Sequence, residues 1–354
     1  MYDFFSKQLI SWNSAINKRN MPWKGEKDPY KIWLSEIILQ QTRVEQGLEF
    51  YKKFIFHFPS VSDLAQTPDT EIFKLWEGLG YYTRCKNLII TARHIAIDKK
   101  GIFPDTYAEI LALKGIGPYT AAAIASFAYN LPHAVVDGNV FRVLSRFFSI
   151  STPIDSTAGK KIFASLANEL LDKKQPASYN QAIMDFGATV CKPKIPLCSS
   201  CILQTQCVAY KKGIVQLLPV KEKSIIKRNR YFYYFIITYN SKIYVYKRKE
   251  NDIWENLYEF ILVEKTSPVT IDINSMARLL TDTIDTKKFK ITGITKVYKQ
   301  QLTHQTIYAQ FIQVDLFTVL SNPAYDLIGK EEIKKLPFPK LITSYFKDHP
   351  LFKI

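Results

Sequence analysis

Cysteine is scarce in this chain, with five in 354 residues. A secreted disulfide framework would be denser and spread along the sequence, so a disulfide scaffold is not the reading. Long apolar runs are missing too. None approaches the roughly eighteen residues that a membrane-spanning helix needs. The opening stretch MYDFFSKQLISWNSAI reads as an amphipathic helix; it lacks the basic start, long apolar run and small-residue cleavage site of a signal peptide. There is no internal repeat and no disordered tract of note. A reduced, cytoplasmic setting is the expectation. Acidic residues are also in deficit: 32 Asp and Glu stand against 48 Lys and Arg, a net charge of +16. That balance favours a polyanionic partner, nucleic acid ahead of a membrane surface, because no basic amphipathic anchor stands out. The plain alternative is a lysine-rich solvated surface.

What is present is a globular composition, 47% hydrophobic and 14% aromatic, in a chain long enough for two domains with separate cores. From residue 1 to about 210 the texture is helical, with apolar residues three and four apart in YKIWLSEIILQQTRVEQGLEFYKKF and TAAAIASFAYN. The basic, Pro-containing stretch KKGIVQLLPVKEKSIIKRNR follows, and 211–225 reads as a linker. From 226 to 354 the chain reads as a separate α+β domain, opened by a hairpin signature in YFYYFIITYNSKIYVYKRK around Tyr-Asn-Ser-Lys.

Four of the five cysteines crowd into CKPKIPLCSSCILQTQC, residues 191–207, spaced C-x6-C-x2-C-x5-C. Thiolates gathered so tightly suit one thiolate-loving centre, either zinc or an iron–sulfur cube. The fifth, Cys85, lies far off in GYYTRCKNL. In LKGIGPYTAAAI, Gly115 and Gly117 let the backbone turn tightly before an Ala-rich helix. Amide N–H groups are left there to grip a phosphate, or the stretch is a plain interhelical turn. In AVVDGNVFRVLSRFF, Asp137 precedes a helix-like run and suits an N-cap, a position that also stabilises a carboxylate as an anion. Glu36, in WLSEIILQQT, is by default a surface glutamate on an amphipathic helix, yet its mostly apolar neighbours would disfavour its charged form and raise its pKa, as a general acid near neutral pH requires. One protonated and one ionised carboxyl is the division of labour for cleaving a glycosidic bond through an oxocarbenium-like state.

Together MPWK, DPYKIWLSEIILQQTRV, GLGYYTRCKNL, LKGIGPYTAAAI, VVDGNV and the cysteine spacing, in this order, resemble the adenine DNA glycosylase (MutY) family of the helix-hairpin-helix superfamily. The resemblance implies a mainly α helix-hairpin-helix glycosylase domain over 1–210, with Cys191, Cys198, Cys201 and Cys207 holding a [4Fe–4S] cluster of structural role. It implies that Glu36 protonates the adenine, that Asp137 stabilises the sugar cation, that Asn139 orients Asp137 and that Tyr119 packs beside the reacting nucleotide. Gly115 and Gly117 match the phosphate-binding hairpin, Gln41 and Tyr81 match residues that wedge into the duplex, and Arg19 matches one lining the adenine pocket. The C-terminal domain resembles the Nudix-like lesion-recognition domain of the family. A Nudix hydrolase box is absent there, and the Phe-Ser-His loop stands as Leu302-Thr303-His304, with Thr303 and His304 as expected lesion readers. Lys24 replaces the arginine of the usual Pro-Trp-Arg.

The implied function is removal of adenine mispaired with 8-oxoguanine or guanine by hydrolysis of the N-glycosidic bond, in base excision repair. The enzyme would be a monofunctional, monomeric glycosylase on double-stranded DNA. Two rivals stand beside it: a pyrimidine-lesion glycosylase/lyase resembling endonuclease III, which has a nucleophilic lysine where this chain has Tyr119, and a non-catalytic iron–sulfur DNA-binding protein.

Overall fold

The computed structural model describes residues 1–222, 227–249, 252–284, 288–320 and 322–349. The chain divides into two compact units. One comprises Met1–Gln66 with Asn87–Ser224, the other Thr67–Lys86 with Ile225–Ile354. The division therefore departs from the chain-order split at 1–210 and 226–354, because Thr67–Lys86 associates with the C-terminal unit. Lys74 donates to the Leu336 carbonyl (3.0 Å), and the Phe338 N–H donates to Glu77 (2.8 Å).

The first unit is helical. Its opening helix, Tyr2–Ala15, buries Phe5, Leu9 and Trp12 on one stripe. Phe5 meets Phe147 at 4.7 Å between ring centroids, and Trp12 meets Phe186 edge-on at 5.1 Å. Helix Pro29–Leu39 starts with Asp28 accepting the Tyr30 N–H and with proline in the first turn, where its missing N–H is harmless. It is apolar on nearly every side and buried from Ile32 to Ile38, which carries Glu36 into the interior with it.

Helices Tyr107–Ala112 and Pro118–Tyr129 form the expected hairpin around Leu113–Gly117. Only the first glycine is demanded by the backbone. Gly115 has φ +78°, and a Cβ there would stand 2.7 Å from the Asn87 Cβ. Gly117 has φ −99°, caps the second helix, and would meet nothing within 4 Å. Of the expected linker, the described part packs on this unit. Ile154 N–H donates to the Val220 carbonyl (3.0 Å), Arg146 Nε donates to the carbonyls of Val215 (2.9 Å) and Leu218 (3.0 Å), and Leu218 is buried. The remainder of the linker and the expected boundary at 226 lie outside the described residues.

The C-terminal unit is α+β. Eight strands are described: β1 Arg228–Tyr239, β2 Lys242–Lys247, β3 Tyr258–Glu259, β4 Ile261–Lys265, β5 Phe289–Ile294, β6 Tyr298–Gln301, β7 Gln305–Leu316 and β8 Asp326–Ile328. They form a mixed sheet in the order β3-β2-β1-β7-β5. The long strands β1 and β7 run parallel at its centre, while β4 pairs β1, β6 pairs β7 and β8 pairs β2. The hairpin of β1 and β2 forms where the sequence places it. Asn240 (φ +47°) and Ser241 (φ +63°) both take left-handed backbone, the twist that two-residue hairpin turns favour. Strands β6 and β7 form a second hairpin, whose tip is Leu302–His304.

Candidate active site

In the first unit a cavity of about 430 Å³ brings together residues from five separated stretches of sequence. Glu36, Tyr119, Asp137, Asn139, Arg19, Lys24 and Asp185 all line it. Glu36 is buried among the apolar neighbours of its helix and is only 9% exposed. Burial pushes its carboxyl up to about 7; a hydrogen bond from Tyr119 opposes the rise, and the nearby Asp137 charge adds to it. The Tyr119 phenol is itself raised well above its ordinary value, first by burial and then by the two carboxylates.

Asp137 caps helix Gly138–Phe148. One carboxylate oxygen accepts the Val140 N–H (2.8 Å) and the other accepts from Asn139 Nδ2 (2.7 Å). Burial raises this carboxyl also, but the Val140 and Asn139 hydrogen bonds and the Arg142 charge work against the rise. The two acids therefore differ in kind: Glu36 has little beyond a phenol to support its charge, whereas Asp137 has three favourable neighbours.

Arg19 extends over the cavity and pairs with Asp185 at 2.7 Å. Asp185, 1% exposed, also accepts from Asn17 Nδ2 (2.8 Å) and lies 3.4 Å from Lys24 Nζ. Sequence reasoning did not single out Asp185. Its only local signal was a carboxylate among the buried residues of helix Pro176–Thr189, which also include Asn180. Lys24, noted as a departure from arginine, keeps its positive charge at the cavity and holds the Arg19 carbonyl as well (3.1 Å).

The remaining expected site residues lie elsewhere. Gly115 and Gly117 sit in the hairpin turn, and Gln41 is an exposed residue with φ +55°; none of the three lines this cavity. Tyr81, Thr303 and His304 belong to the C-terminal unit, where they line a second cavity of about 370 Å³. There the Tyr81 hydroxyl and Thr303 Oγ1 are hydrogen-bonded at 2.7 Å.

Cys191, Cys198, Cys201 and Cys207 lie together, and the thiols of Cys198, Cys201 and Cys207 are raised by burial and by the cysteines beside them. Burial is the larger cause, and it pushes Cys201 up to about 12. Arg146 donates to Cys191 Sγ at 3.5 Å, and Arg142 Nε donates to the Cys191 carbonyl at 2.7 Å. Four clustered sulfur donors beside a guanidinium, with Cys198, Cys201 and Cys207 resisting ionisation alone, are a donor set suited to an iron–sulfur centre, whose positive irons relieve the repulsion. Among the described residues no group of three or more His, Cys, Asp or Glu is placed to hold a single metal ion. Cys85 is fully buried in the other unit, its thiol pushed well up by burial.

Residues 34–169 match the model of the HhH-GPD superfamily, base excision DNA repair proteins. Two solved structures share the fold. A thermostable thymine-DNA glycosylase is 31% identical, with a TM-score of 0.56 over 60% of this chain and 97% of that one. A trapped endonuclease III–DNA covalent intermediate is 19% identical, with a TM-score of 0.52 over 60% of this chain and 99% of that one. Fold and site thus define a helix-hairpin-helix DNA glycosylase. The adenine DNA glycosylase of Buchnera aphidicola subsp. Baizongia pistaciae is 34% identical over 322 residues, 90% of this chain and 88% of that protein. The Homo sapiens adenine DNA glycosylase is 39% identical over 218 residues, 59% of this chain and 40% of that protein. The chain belongs to the adenine DNA glycosylase family. No helix among the described residues is long and apolar enough to cross a membrane.

Proposed function

We propose that this DNA N-glycosylase of base excision repair removes adenine mispaired with 8-oxoguanine or guanine, and that Glu36 and Asp137 divide the chemistry between them. The observation that carries the reading is the contrast between the two carboxyls: Glu36 is buried and raised to about 7, while Asp137, though burial raises it too, accepts hydrogen bonds from Val140 and Asn139 that favour its anion. Near neutral pH a protonated Glu36 donates to the leaving base. The Asp137 carboxylate then faces the positive sugar as the bond lengthens. Asn139 orients Asp137, Tyr119 packs beside the nucleotide and steadies Glu36, and Arg19, held by Asp185, lines the base pocket. The adenine must leave the stack to reach a cavity of this kind, which costs a few kcal/mol of unstacking.

DNA is the partner, and the net charge of +16 suits it. The Gly115–Gly117 turn grips phosphate, Gln41 and Tyr81 enter the duplex, and Thr303 and His304 read the base opposite adenine from the Nudix-like 226–354 region. Cys191, Cys198, Cys201 and Cys207 hold a [4Fe–4S] cluster. Bound there, the cluster supplies a rigid core for the 191–207 loop, and no step of excision runs through it. The enzyme acts as a monomer in the cytoplasm.

The test is excision from duplexes carrying A opposite 8-oxoguanine, G or T, with T opposite G as a further arm because of the thymine-DNA glycosylase likeness. The expected product is an intact abasic strand that breaks only after alkali, on the first two duplexes. Excision of thymine instead, or strand cleavage without alkali together with an adduct trapped by borohydride, would overturn the reading.

A further inference from the structure

The cavity in the C-terminal unit has three walls: the Gly80–Lys86 segment, the turn from Asp252 to Glu255, and the Gln301–Gln305 tip of the β6–β7 hairpin. These walls are far apart in sequence, and one side chain outside the cavity lining joins two of them. Arg230, on β1, is 8% exposed. Its guanidinium binds Asp252 through Nη1 (2.9 Å) and Nη2 (2.8 Å), and Glu264 through Nε and Nη2 (both 2.6 Å). Nη1 also donates to Gln305 Oε1 at 3.4 Å. A guanidinium has five N–H donors in a fixed planar fork, and these five bonds use the whole set.

The two walls need such a hold. In the first, Trp254 (φ +64°) and Asn256 (φ +68°) both take the left-handed backbone that side chains disfavour. Arg248 adds to the restraint, with Nη2 on Asp252 (2.6 Å) and Nε on the Ile253 carbonyl (3.0 Å). So fixed, the turn presents Glu255 to Lys86 on the opposite wall at 2.6 Å. In the second wall, Gln305 follows His304 directly and is 5% exposed. Its Oε1 also accepts from Arg228 Nε (3.2 Å). Asp252 is held below the ordinary carboxylate range: burial pushes it up, but the Arg230 hydrogen bond, the Ile253 N–H and the charges of Arg230 and Arg248 together outweigh that.

We propose that Arg230 is a positioning residue for lesion discrimination, holding the Asp252–Glu255 turn and the Thr303–His304 tip in mutual register. The proposal rests on the reading that this tip recognises the base opposite adenine. Arg230 would then tune selectivity through Asp252 and Gln305 while making no contribution to the excision chemistry at Glu36 and Asp137.

Arg230→Lys keeps the charge and loses the fork, so it is the decisive variant. The measurement is single-turnover excision on A:8-oxoguanine and A:G duplexes against enzyme concentration, at one stated salt, with melting followed in parallel. The expected result is a loss of about tenfold in the preference for A:8-oxoguanine, the scale of one base contact. The loss should lie in the half-saturating concentration, with the maximal rate on A:G unchanged. Equal slowing on both duplexes, or an unchanged preference in folded protein, would overturn the proposal. Arg230→Met removes the guanidinium from the half-exposed Asp252 and Glu264 carboxylates and risks misfolding; Asp252→Asn, nearly isosteric, serves as the second variant and should lose the same preference. The Thr303→Ala/His304→Ala double variant separates the two ideas. If it loses preference and Arg230→Lys does not, the positioning role fails. If Arg230→Lys loses preference and the double variant does not, the reading of the tip falls, and with it the positioning of that tip as the source of selectivity.

Discussion

Asn139 donates its amide nitrogen to Asp137 Oδ2 at 2.7 Å, and the other end of that amide is fixed by Arg142, whose Nη2 donates to Asn139 Oδ1 at 2.8 Å. The orientation of the amide is thus set from both sides. Arg142 is anchored in turn on the carbonyls of Gly187 (2.6 Å) and Cys191 (2.7 Å). A line of hydrogen bonds therefore runs from the carboxylate at the cavity to the first cysteine of the 191–207 loop.

Gly187 is where this line is most easily broken. A Cβ there would lie 2.7 Å from the Asn139 Cβ and 2.9 Å from its carbonyl oxygen. Gly187→Ala should push Asn139 aside and misplace Asp137, lowering the single-turnover rate on the order of 100-fold, the effect of about an ångström of misplacement. Duplex binding should change little. A wild-type rate in folded Gly187→Ala protein would show that the contact does not govern Asp137.

Glu36→Gln removes the donated proton and Asp137→Asn removes the anion, each at nearly constant volume. Each should reduce excision by roughly 100- to 10,000-fold with binding retained. In the wild-type enzyme the rate should fall as pH rises through about 7, where Glu36 loses its proton. A single-turnover profile flat from pH 6 to 9 would remove Glu36 as the acid.

The same burial has a consequence for stability. The folded-state pKa of Glu36 lies above its ordinary value of 4.5, at about 7. Its protonated form is compatible with the fold below 4.5, and the resulting stability is lost as pH rises through 7, because the unfolded chain ionises this group freely. At about 1.4 kcal/mol per pKa unit, the burden at pH 8 is on the order of 3 kcal/mol. Glu36→Gln should therefore melt at a higher temperature than wild type at pH 8, and the advantage should shrink towards pH 4.5. Equal melting at pH 8 would mean that Glu36 is better solvated than its buried position indicates.

The cysteine loop predicts a brown protein with about four irons per chain. Cys198→Ser should lose iron and weaken DNA binding or folding, whereas Cys85→Ser, in the other unit, should leave iron content unchanged. Colourless protein carrying stoichiometric zinc would reassign the site.

Local chemistry was legible in the sequence. The apolar run around Glu36 already implied a raised carboxyl, Asp137 before a helix already implied an N-cap, and Tyr-Asn-Ser-Lys marked the β1–β2 hairpin. Each of these depends on residues within a few positions, where periodicity and capping act. The two hairpin glycines looked equivalent, and only the backbone angles separated them.

The relationships that pairs of distant residues make were not legible. Arg19 and Asp185 lie 166 positions apart, and Arg230 and Gln305 lie 75 apart. Nor does any local pattern announce that Thr67–Lys86 belongs with the C-terminal unit. The sequence by itself determined many of the elements, the crowding of four cysteines into 191–207 and the apolar surroundings of Glu36, because propensity, capping and apolar surroundings are properties of short stretches. The tertiary structure alone decided which charges meet, since a buried ion pair is chosen by packing across the whole chain and leaves no trace in the neighbours of either partner.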